Sequence, residues 1–532
     1  MNNNVINEIN GSKDSPYRVG VALDQHITYN DRAPFHPHVA YPEYIFTETA
    51  RSNVPGAYQL VRESLRSLGL DEKNFGSSTW NPLGEIIRPG DKVVIKPNWV
   101  LDTHPRNLDI FSVITHPSVI RATIDYVLIA LQGKGAVTVC DAPQAECNFE
   151  RLSALSHLEE LKAFYASKEC LTPQFLDLRK IRYFIDSDGY LKDDGREALA
   201  GDPAGYRLVN LGRDSLLYDL DNLENLYGAD YDRSFTTEHH QRERQEYLIS
   251  GTILGADVVI SLPKMKSHKK TGVTLNLKNL VGINGDKNYL AHFRVGASNA
   301  GGDEYPGEMP GKKKLTLKGQ RFLIDHLLTK PNRISVGLFN VISKTYRKIR
   351  DVGRLDLTPT IRLGDWHGND TAWRMVVDLN RILFLADSDG NMRGSPQRRY
   401  FSIIDGVLAG DGDGPLDPNP KQAGLILTGF SPTPVDLVGT YLMGFDYSRL
   451  RLYEYIVGER SDSRTLPYAV SDVRDITVGY RDKQLSYKDF CEIQAPLGFL
   501  PHYGWKDRVE LPEADTASTE PEVSQRQRSV LS

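Results

Sequence analysis

Short apolar runs alternate with apolar residues at helical spacing along the first 150 residues. Residues 19–23, 92–96 and 136–140 centre on apolar side chains over the length of a strand, which indicates strands buried on both faces. Between the second and third runs, the segment from Pro117 to Leu131 has the apolar spacing of a helix, and proline suits a first helical position. Strand, helix and strand in this order predict parallel pairing, since parallel neighbours need a long crossover connection.

A similar pattern returns in the second half of the chain. It predicts strands at 258–262, 399–406 and 423–428, and helices at 371–384 and 433–443. The polar stretch before it predicts short strands, with helices near 153–164 and over 239–251. We therefore predict an α/β fold, in which a parallel-rich open sheet is flanked by helices and carries a large polar insertion and a basic helical segment.

The expected division of the chain follows from these patterns. It comprises an N-terminal βαβ half of the core (1–150), an insertion (151–250), a central strand with a lysine-rich site loop (251–315), basic amphipathic helices (316–360), the C-terminal half of the core (361–510) and a disordered tail (511–532).

Composition narrows the class of protein. The 532 residues are 40% hydrophobic and 25% charged, as in soluble globular proteins, and the net charge of −5 gives no reason to expect nucleic acid as a partner. No apolar run has the length of a transmembrane segment and the N-terminus has no export signal, so a cytoplasmic location is expected. Four scattered cysteines without a C-x-x-C pair predict no iron–sulfur cluster of the chain's own.

The most informative segment follows the strand at 258–262. Within sixteen residues it presents cationic, hydroxyl and amide side chains: Lys264, Lys266, His268, Lys269, Lys270, Thr271, Thr274, Lys278 and Asn279. Open α/β sheets bind ligands beyond the carboxyl ends of their strands. Lysines provide point charges for phosphate or carboxylate, so the segment favours an anion site. The alternative is a solvated, positively charged loop.

Two other strand ends carry polar residues. Lys96 and Asn98 stand on either side of Pro97, and Asp141 follows the strand at 136–140. In a parallel sheet these ends share one crevice with the lysine-rich segment, so we expect Lys96, Lys264 and Lys266 to converge. The alternatives are a strand-end lysine in solvent and, for Asp141, a helix cap.

Two acidic segments lie further along the chain. Asp405, Asp411 and Asp413 occur among glycines in a predicted turn, a composition that favours Mg²⁺ or Mn²⁺, although an acidic turn without a metal is the alternative. Asp370, Arg374 and Asp378 fall at i, i+4 and i+8 on a predicted helix, which indicates either a ligand contact through Arg374 or a surface salt-bridge ladder.

A basic amphipathic segment covers residues 317–354, and Pro331 is expected to divide it into two helices. Basic amphipathic helices contact partner proteins or membrane surfaces, or cover an active site as a lid. An ordinary surface helix is the alternative interpretation.

Several motifs together resemble a bacterial and archaeal family named domain of unknown function 362. They are VVIKPNWV, THPSVIRATIDYV, VTVCDAP, ADVVISLPKMKSHKKTGVTLNLKNLVG and IIDGVLAGDGDGPLDP with the following GLILTGFSPTPVDLVGTYLMG, and they span about residues 90–445. WHGNDTAWRMVVDLN resembles a longer form of the family. Many members carry a ferredoxin-type module, which this chain lacks. The resemblance implies a fold and a site, but no substrate.

The residues favour an enzyme that acts on a phosphorylated or carboxylated small molecule, such as a sugar derivative, with a divalent cation. The expected catalytic residues are His268, Lys264 and Asp141. The expected substrate-binding residues are Lys96, Asn98, Lys266, Thr271, Lys278, Asn279 and Arg374, and the expected metal ligands are Asp405, Asp411 and Asp413. One alternative is a redox protein that has lost its own cluster, and another is a non-catalytic binding or scaffold protein.

Overall fold

A mixed β-sheet runs through the centre of the protein and is covered by helices on both faces. The computed structural model describes residues 16–30, 32–52, 54–185, 191–229, 232–307, 310–328, 332–353, 361–458, 464 and 466–512. The predicted disordered tail, 511–532, lies outside the described residues from 513 onward.

The strands are β1 (Arg18–Leu23), β2 (Lys92–Pro97), β3 (Ala136–Asp141), β4 (Gln174–Asp177), β5 (Ile181–Ile185), β6 (Leu191–Ala198), β7 (Tyr206–Asn210), β8 (Leu226–Gly228), β9 (His240–Gln241), β10 (Arg244–Ser250), β11 (Val258–Leu262), β12 (Lys264–His268), β13 (Gly272–Thr274), β14 (Ala291–Arg294), β15 (Arg399–Asp411), β16 (Asn419–Gly429), β17 (Thr477–Tyr480) and β18 (Lys483–Ser486).

The α-helices are α1 (Ala57–Ser67), α2 (Pro117–Leu131), α3 (Phe149–Leu155), α4 (Leu158–Ala166), α5 (Arg233–His239), α6 (Gly251–Leu254), α7 (Asn276–Asn279), α8 (Gly311–Leu327), α9 (Arg333–Gly353), α10 (Ala372–Leu385), α11 (Pro432–Met443), α12 (Arg451–Ile456) and α13 (Tyr487–Ile493).

The central sheet has the order β18-β17-β1-β16-β15-β11-β2-β3-β4. Strands β15, β11, β2, β3 and β4 are mutually parallel, and β1 and β16 continue the sheet through antiparallel pairs. This arrangement confirms the predicted parallel-rich α/β fold. One apolar core packs α1 and α2 on the first face, and a second packs α10 and α11 on the other.

The parallel register places three polar strand ends along one edge. Ser261 pairs with Lys96 between β11 and β2, and β3 ends beside them at Asp141. Chain direction is shared by these strands, so their carboxyl ends open toward the same crevice. The sheet therefore positions residues for a common site.

Two local predictions are wrong. Residues 239–251 were expected to form a helix, but β9 and β10 occupy most of this segment. Residues 246–250 pair with β7 in an antiparallel ladder, so this segment extends the pairing of a small sheet instead of forming helical hydrogen bonds.

The lysine-rich segment is a strand hairpin and not a loop. Strand β12 pairs with β15 in parallel, and β13 pairs back onto β12. This pairing is available because β15 continues well past the predicted end at residue 406, to Asp411. Its extra length gives β12 a partner.

The basic segment contains two helices, α8 and α9, as the sequence predicted. Val336 and Leu328 are buried with Tyr183 of the insertion in a small separate apolar cluster. Among the described residues, no helix is long and apolar enough to cross a membrane.

Candidate functional site

A cavity of about 1150 Å³ opens beyond the carboxyl ends of β2 and β3. Its floor is polar and comes from these strand ends, from β12 and from the segment around α7. Another part of its lining comes from α8 and α9. The polar lining residues include Lys96, Asn98, Asp141, Lys266, His268, Lys269, Lys270, Thr274, Lys278, Asn279, Lys287 and His292.

Lys96 and Asp141 form a buried ion pair in this floor. Lys96 Nζ lies 2.7 Å from Asp141 Oδ1 and 3.1 Å from Asn279 Oδ1. The backbone N–H groups of Trp99 and Ala142 also donate to Asp141, at 2.7 and 2.8 Å. Because the carboxylate has three donors, Asp141 holds Lys96 in a fixed position.

Gly282 leaves the space that this ion pair occupies. A Cβ at this position would lie 2.0 Å from Asp141 Oδ1 and 2.7 Å from Lys96 Nζ. Both distances are shorter than van der Waals contact, so a side chain here must displace the pair.

We expect Gly282→Ala to lower the free energy of unfolding by about 1–3 kcal/mol, the usual cost of overpacking a filled site. Urea denaturation measures it. Gly394→Ala is the control, since a Cβ at Gly394 meets nothing within 4 Å. Equal stabilities of the two variants would contradict the tight packing of the ion pair.

Lys278 differs from its neighbours because it faces the cavity without a partner. It is half-buried, and its ammonium has no hydrogen bond or ion pair within the described part of the chain. Burial, together with the nearby ammonium groups of Lys287 and Lys96, lowers the pKa of Lys278 to about 7. Such a group is stabilised by an anion, and it titrates in the range that suits proton transfer.

Lys266 and Lys287 add two more buried cations. Lys266 Nζ donates to the Val113 carbonyl, and Lys287 Nζ donates to the Ala142 carbonyl at 2.7 Å. Burial lowers the pKa of Lys287 to about 8 and that of Lys266 well below its usual range. Neither amino group has a carboxylate within salt-bridge distance in the described chain, so a bound anion is the partner that would favour their charged forms.

His268 lines the cavity as a neutral hydrogen-bond donor. Its Nδ1 accepts from the backbone N–H groups of Lys270 and Thr271, at 3.0 and 3.2 Å. Burial and the nearby Lys278 ammonium hold the pKa of His268 well below its usual value. The neutral ring therefore carries its proton on Nε2.

Three buried polar atoms of the cavity lining have no hydrogen-bond partner in the described structure. They are Asn98 Oδ1, Trp99 Nε1 and Thr274 Oγ1. Their residues are 8%, 1% and 3% exposed. Buried polar groups in proteins are nearly always paired, so these atoms indicate that the cavity is completed by a ligand or by water.

Lys264, predicted as catalytic, lies in a different cluster and does not line this cavity. Its ammonium is 2.6 Å from both Asp405 Oδ2 and Tyr29 Oη, and Tyr29 also donates to Asp405 Oδ1 at 2.6 Å. His116 stacks on the Tyr29 ring, with centroids 3.8 Å apart. Every charge in this cluster is satisfied internally, so Lys264 has a structural role here.

Thr271 and Arg374, predicted to bind substrate, also lie outside the cavity lining. The Thr271 backbone orients His268, and its hydroxyl donates to the Val273 carbonyl. Arg374 on α10 pairs with Asp370, which lies just before the helix, and donates to the Leu216 carbonyl. Asp378 is buried and accepts from the Leu216 N–H and the Tyr247 hydroxyl, both at 2.9 Å, so the three side chains do not form a surface salt-bridge ladder.

The three aspartates predicted as metal ligands do not share a site. Asp405 and Asp411 are six residues apart on the extended strand β15, which separates them by roughly 20 Å at the rise of a strand. Asp413 is exposed beyond the strand end. No group of three or more His, Cys, Asp or Glu side chains suited to a metal ion occurs within the described ranges.

The sequence patterns singled out neither Lys287 nor His292, which also line the cavity. Lys287 lies in the segment assigned to a loop, although its charge was a usable signal. His292 donates from Nδ1 to the Leu290 carbonyl at 2.8 Å, and burial beside Lys278 lowers its pKa to about 3. The ring is therefore neutral near pH 7.

The fold and the cavity define an α/β protein with a cation-rich ligand cavity at the edge of its central sheet. Residues 190–441 match the family described as a domain of unknown function, DUF362. The chain therefore carries the domain of this family, as its motifs predicted, although the motifs were expected to begin near residue 90.

The chain was also compared with curated proteins and with solved structures. No curated protein matches the chain. A solved structure of a Thermotoga maritima protein is similar at 11% identity and a TM-score of 0.30, over 73% of this chain and 59% of that chain. The chain thus covers less than two thirds of that protein.

Proposed function

We propose that this protein is an enzyme that binds a phosphorylated or carboxylated small molecule in the cavity, such as a sugar derivative. Lys278 is the observation that carries the proposal, because a half-buried ammonium facing a cavity without a partner is costly unless an anion joins it. Lys266 and Lys287 support the same charge preference.

The proposed roles follow from the hydrogen-bonding capacity of each side chain. Lys278 binds the anionic group and exchanges a proton with it, since its pKa of about 7 lies near neutral pH. His268 Nε2–H donates a neutral hydrogen bond, and Thr274 and Asn98 orient the ligand. Lys96, Asp141 and Asn279 form the rigid floor on which these groups stand.

We also propose that the enzyme uses Mg²⁺ or Mn²⁺, and this part of the proposal rests on the sequence alone. The separation of Asp405 from Asp411 and Asp413 adds no support to it.

The pH dependence of anion affinity is expected to report Lys278. Below its free-state pKa of about 7 the ammonium is charged and binding is strongest. A bound anion raises this pKa, so affinity should fall as pH rises from about 7 toward the bound-state value, by up to about tenfold per unit. Calorimetric titration with sulfate measures this, since sulfate keeps its charge across the range.

Lys278→Met should bind sulfate with a flatter pH profile above pH 7. A wild-type profile that is flat between pH 6 and 9 would contradict the assignment of Lys278 as the titrating group.

The proposed activity is tested by a thermal-shift screen of sugar phosphates, nucleotide sugars and carboxylates against wild type and Lys278→Met. Compounds that stabilise only the wild type are then incubated with it, and products are followed by NMR. If no phosphate or carboxylate compound stabilises wild type more than the variant, the proposed site is wrong. If a compound binds without conversion, the enzyme proposal is wrong and a binding function remains.

A further inference from the structure

The two helices of the basic segment contribute a mostly apolar part of the cavity lining. Its apolar side chains are Leu317, Phe322, Leu323 and Ile324 of α8, and Phe339 and Ile342 of α9, while Arg321 and Ser343 also line the cavity there. A small hydrophilic anion would use only the floor of a cavity of about 1150 Å³. The lining thus combines a cationic end with an apolar end, which fits a molecule that has both characters.

The same two helices expose apolar side chains to solvent. Ile334, Leu338 and Val341 are 84%, 49% and 63% exposed, and they fall at i, i+4 and i+7 along one stripe of α9. On α8, Phe322 is 60% exposed although it also lines the cavity. Phe322 therefore belongs both to the lining of the cavity and to the exposed apolar surface of these two helices.

Charge indicates what covers this surface. Residues 311–353 contain eleven lysines and arginines and two aspartates, while the whole chain carries a net charge of −5. Helices that combine an apolar stripe with a strongly basic composition bind anionic lipid surfaces. A protein partner is less favoured, since lysine is depleted at protein–protein interfaces.

We infer that the ligand of the cavity is an amphiphilic anion taken from an anionic lipid surface on which α8 and α9 rest. The inference depends on the proposed anion site, and it specifies the substrate class of that site. The anionic group lies on Lys278 and its neighbours, and an apolar chain lies against Phe322 and Phe339.

The alkyl chain length of the ligand tests whether the cavity binds an amphiphilic anion. Methyl, butyl, hexyl and octyl sulfate share one anionic group, and each is titrated into the protein below its micelle concentration. Each buried methylene is expected to raise affinity about fourfold. Phe339→Ala should reduce this gain with little effect on methyl sulfate, and Lys278→Met should weaken every member of the series.

These outcomes separate two failures. If methyl sulfate binds in a Lys278-dependent way but octyl sulfate binds no more tightly, the amphiphile inference is overturned and the anion site stands. If no alkyl sulfate depends on Lys278, the anion site itself is wrong.

Vesicle flotation tests the surface. The full-length protein should float with phosphatidylcholine vesicles that contain phosphatidylglycerol, and not with phosphatidylcholine alone. Ile334→Ser, Leu338→Ser, Val341→Ser should abolish flotation while methyl sulfate affinity is unchanged, since none of these residues lines the cavity.

The control replaces three exposed apolar residues elsewhere, Val39, Leu208 and Ile493, by serine. It should float like wild type. The inference that α8 and α9 bind a lipid surface would be overturned by either of two results: the wild-type protein fails to float with the anionic vesicles, or the triple serine variant of α9 floats as well as the control.

Discussion

Lys278→Met is expected to weaken binding of inorganic pyrophosphate by about ten- to a hundredfold at pH 6.5. The reason is the loss of a charge-assisted hydrogen bond, which contributes about 1.5–3 kcal/mol in a partly buried site. Methionine keeps most of the apolar stem of the lysine, so the wall of the cavity is preserved. Isothermal titration calorimetry measures the change.

Lys483→Met is the matched control, because Lys483 is exposed on the edge strand β18, outside the cavity lining. It should bind pyrophosphate like wild type. Equal losses in both variants would show that pyrophosphate binds through diffuse surface charge and not at Lys278.

Lys278→Met is also expected to stabilise the unliganded protein by about 0.5–2 kcal/mol. Burial depresses the pKa of Lys278 to about 7, so between that value and about 10 the unfolded chain binds more protons than the folded one. The free energy of unfolding of wild type should therefore rise with pH over this window. Lys278→Met should lose that rise, and a variant less stable than wild type would contradict a strained ammonium.

Asp405→Ala is expected to have the largest effect on stability, a loss of about 3–5 kcal/mol, because it leaves the buried Lys264 ammonium without its carboxylate. Tyr29 and the backbone N–H of His116 also lose their acceptor. Guanidinium denaturation near neutral pH measures the change.

The double variant Lys264→Met, Asp405→Leu is the control, since replacing both charges by apolar groups of similar size removes the uncompensated ion. It should recover much of the lost stability and should still bind pyrophosphate. A double variant that is stable but has lost pyrophosphate binding would show that Lys264 belongs to the ligand site, as the sequence predicted.

The sequence predicted the floor of the cavity because parallel strands share the direction of their ends. Lys96 and Asp141 come directly after buried strands, so the sheet alone brings them together. Lys266, His268, Lys278 and Asn279 follow β11 closely and were found by the same argument.

The position of Lys264 outside the cavity lining has a physical cause. Strand β12 continues along β15 in the direction of β11, which brings Lys264 opposite Asp405 in the strand register. The sequence did not predict this second strand, because its lysines indicated a loop. The glycines after Asp405 indicated a turn, whereas β15 continues to Asp411 and holds the two aspartates far apart.

Long-range contacts account for what remained outside the sequence analysis. Tyr29 reaches Asp405 from 376 positions away, and α8 and α9 close a cavity whose floor is built mainly by earlier segments. Composition identified these helices as basic and amphipathic, but only the three-dimensional arrangement brings Phe322 and Phe339 into the lining of the same cavity as the lysines.

The most direct test of the central claim is an anomalous difference map from crystals soaked in tungstate, an oxyanion with a strong anomalous signal. The account predicts a peak in the cavity within hydrogen-bond distance of Lys278 Nζ, near Thr274 Oγ1 and His268 Nε2, and no such peak in Lys278→Met crystals. Tungstate bound only at exposed surface lysines, with the cavity empty of it, would contradict the claim that this cavity is an anion site.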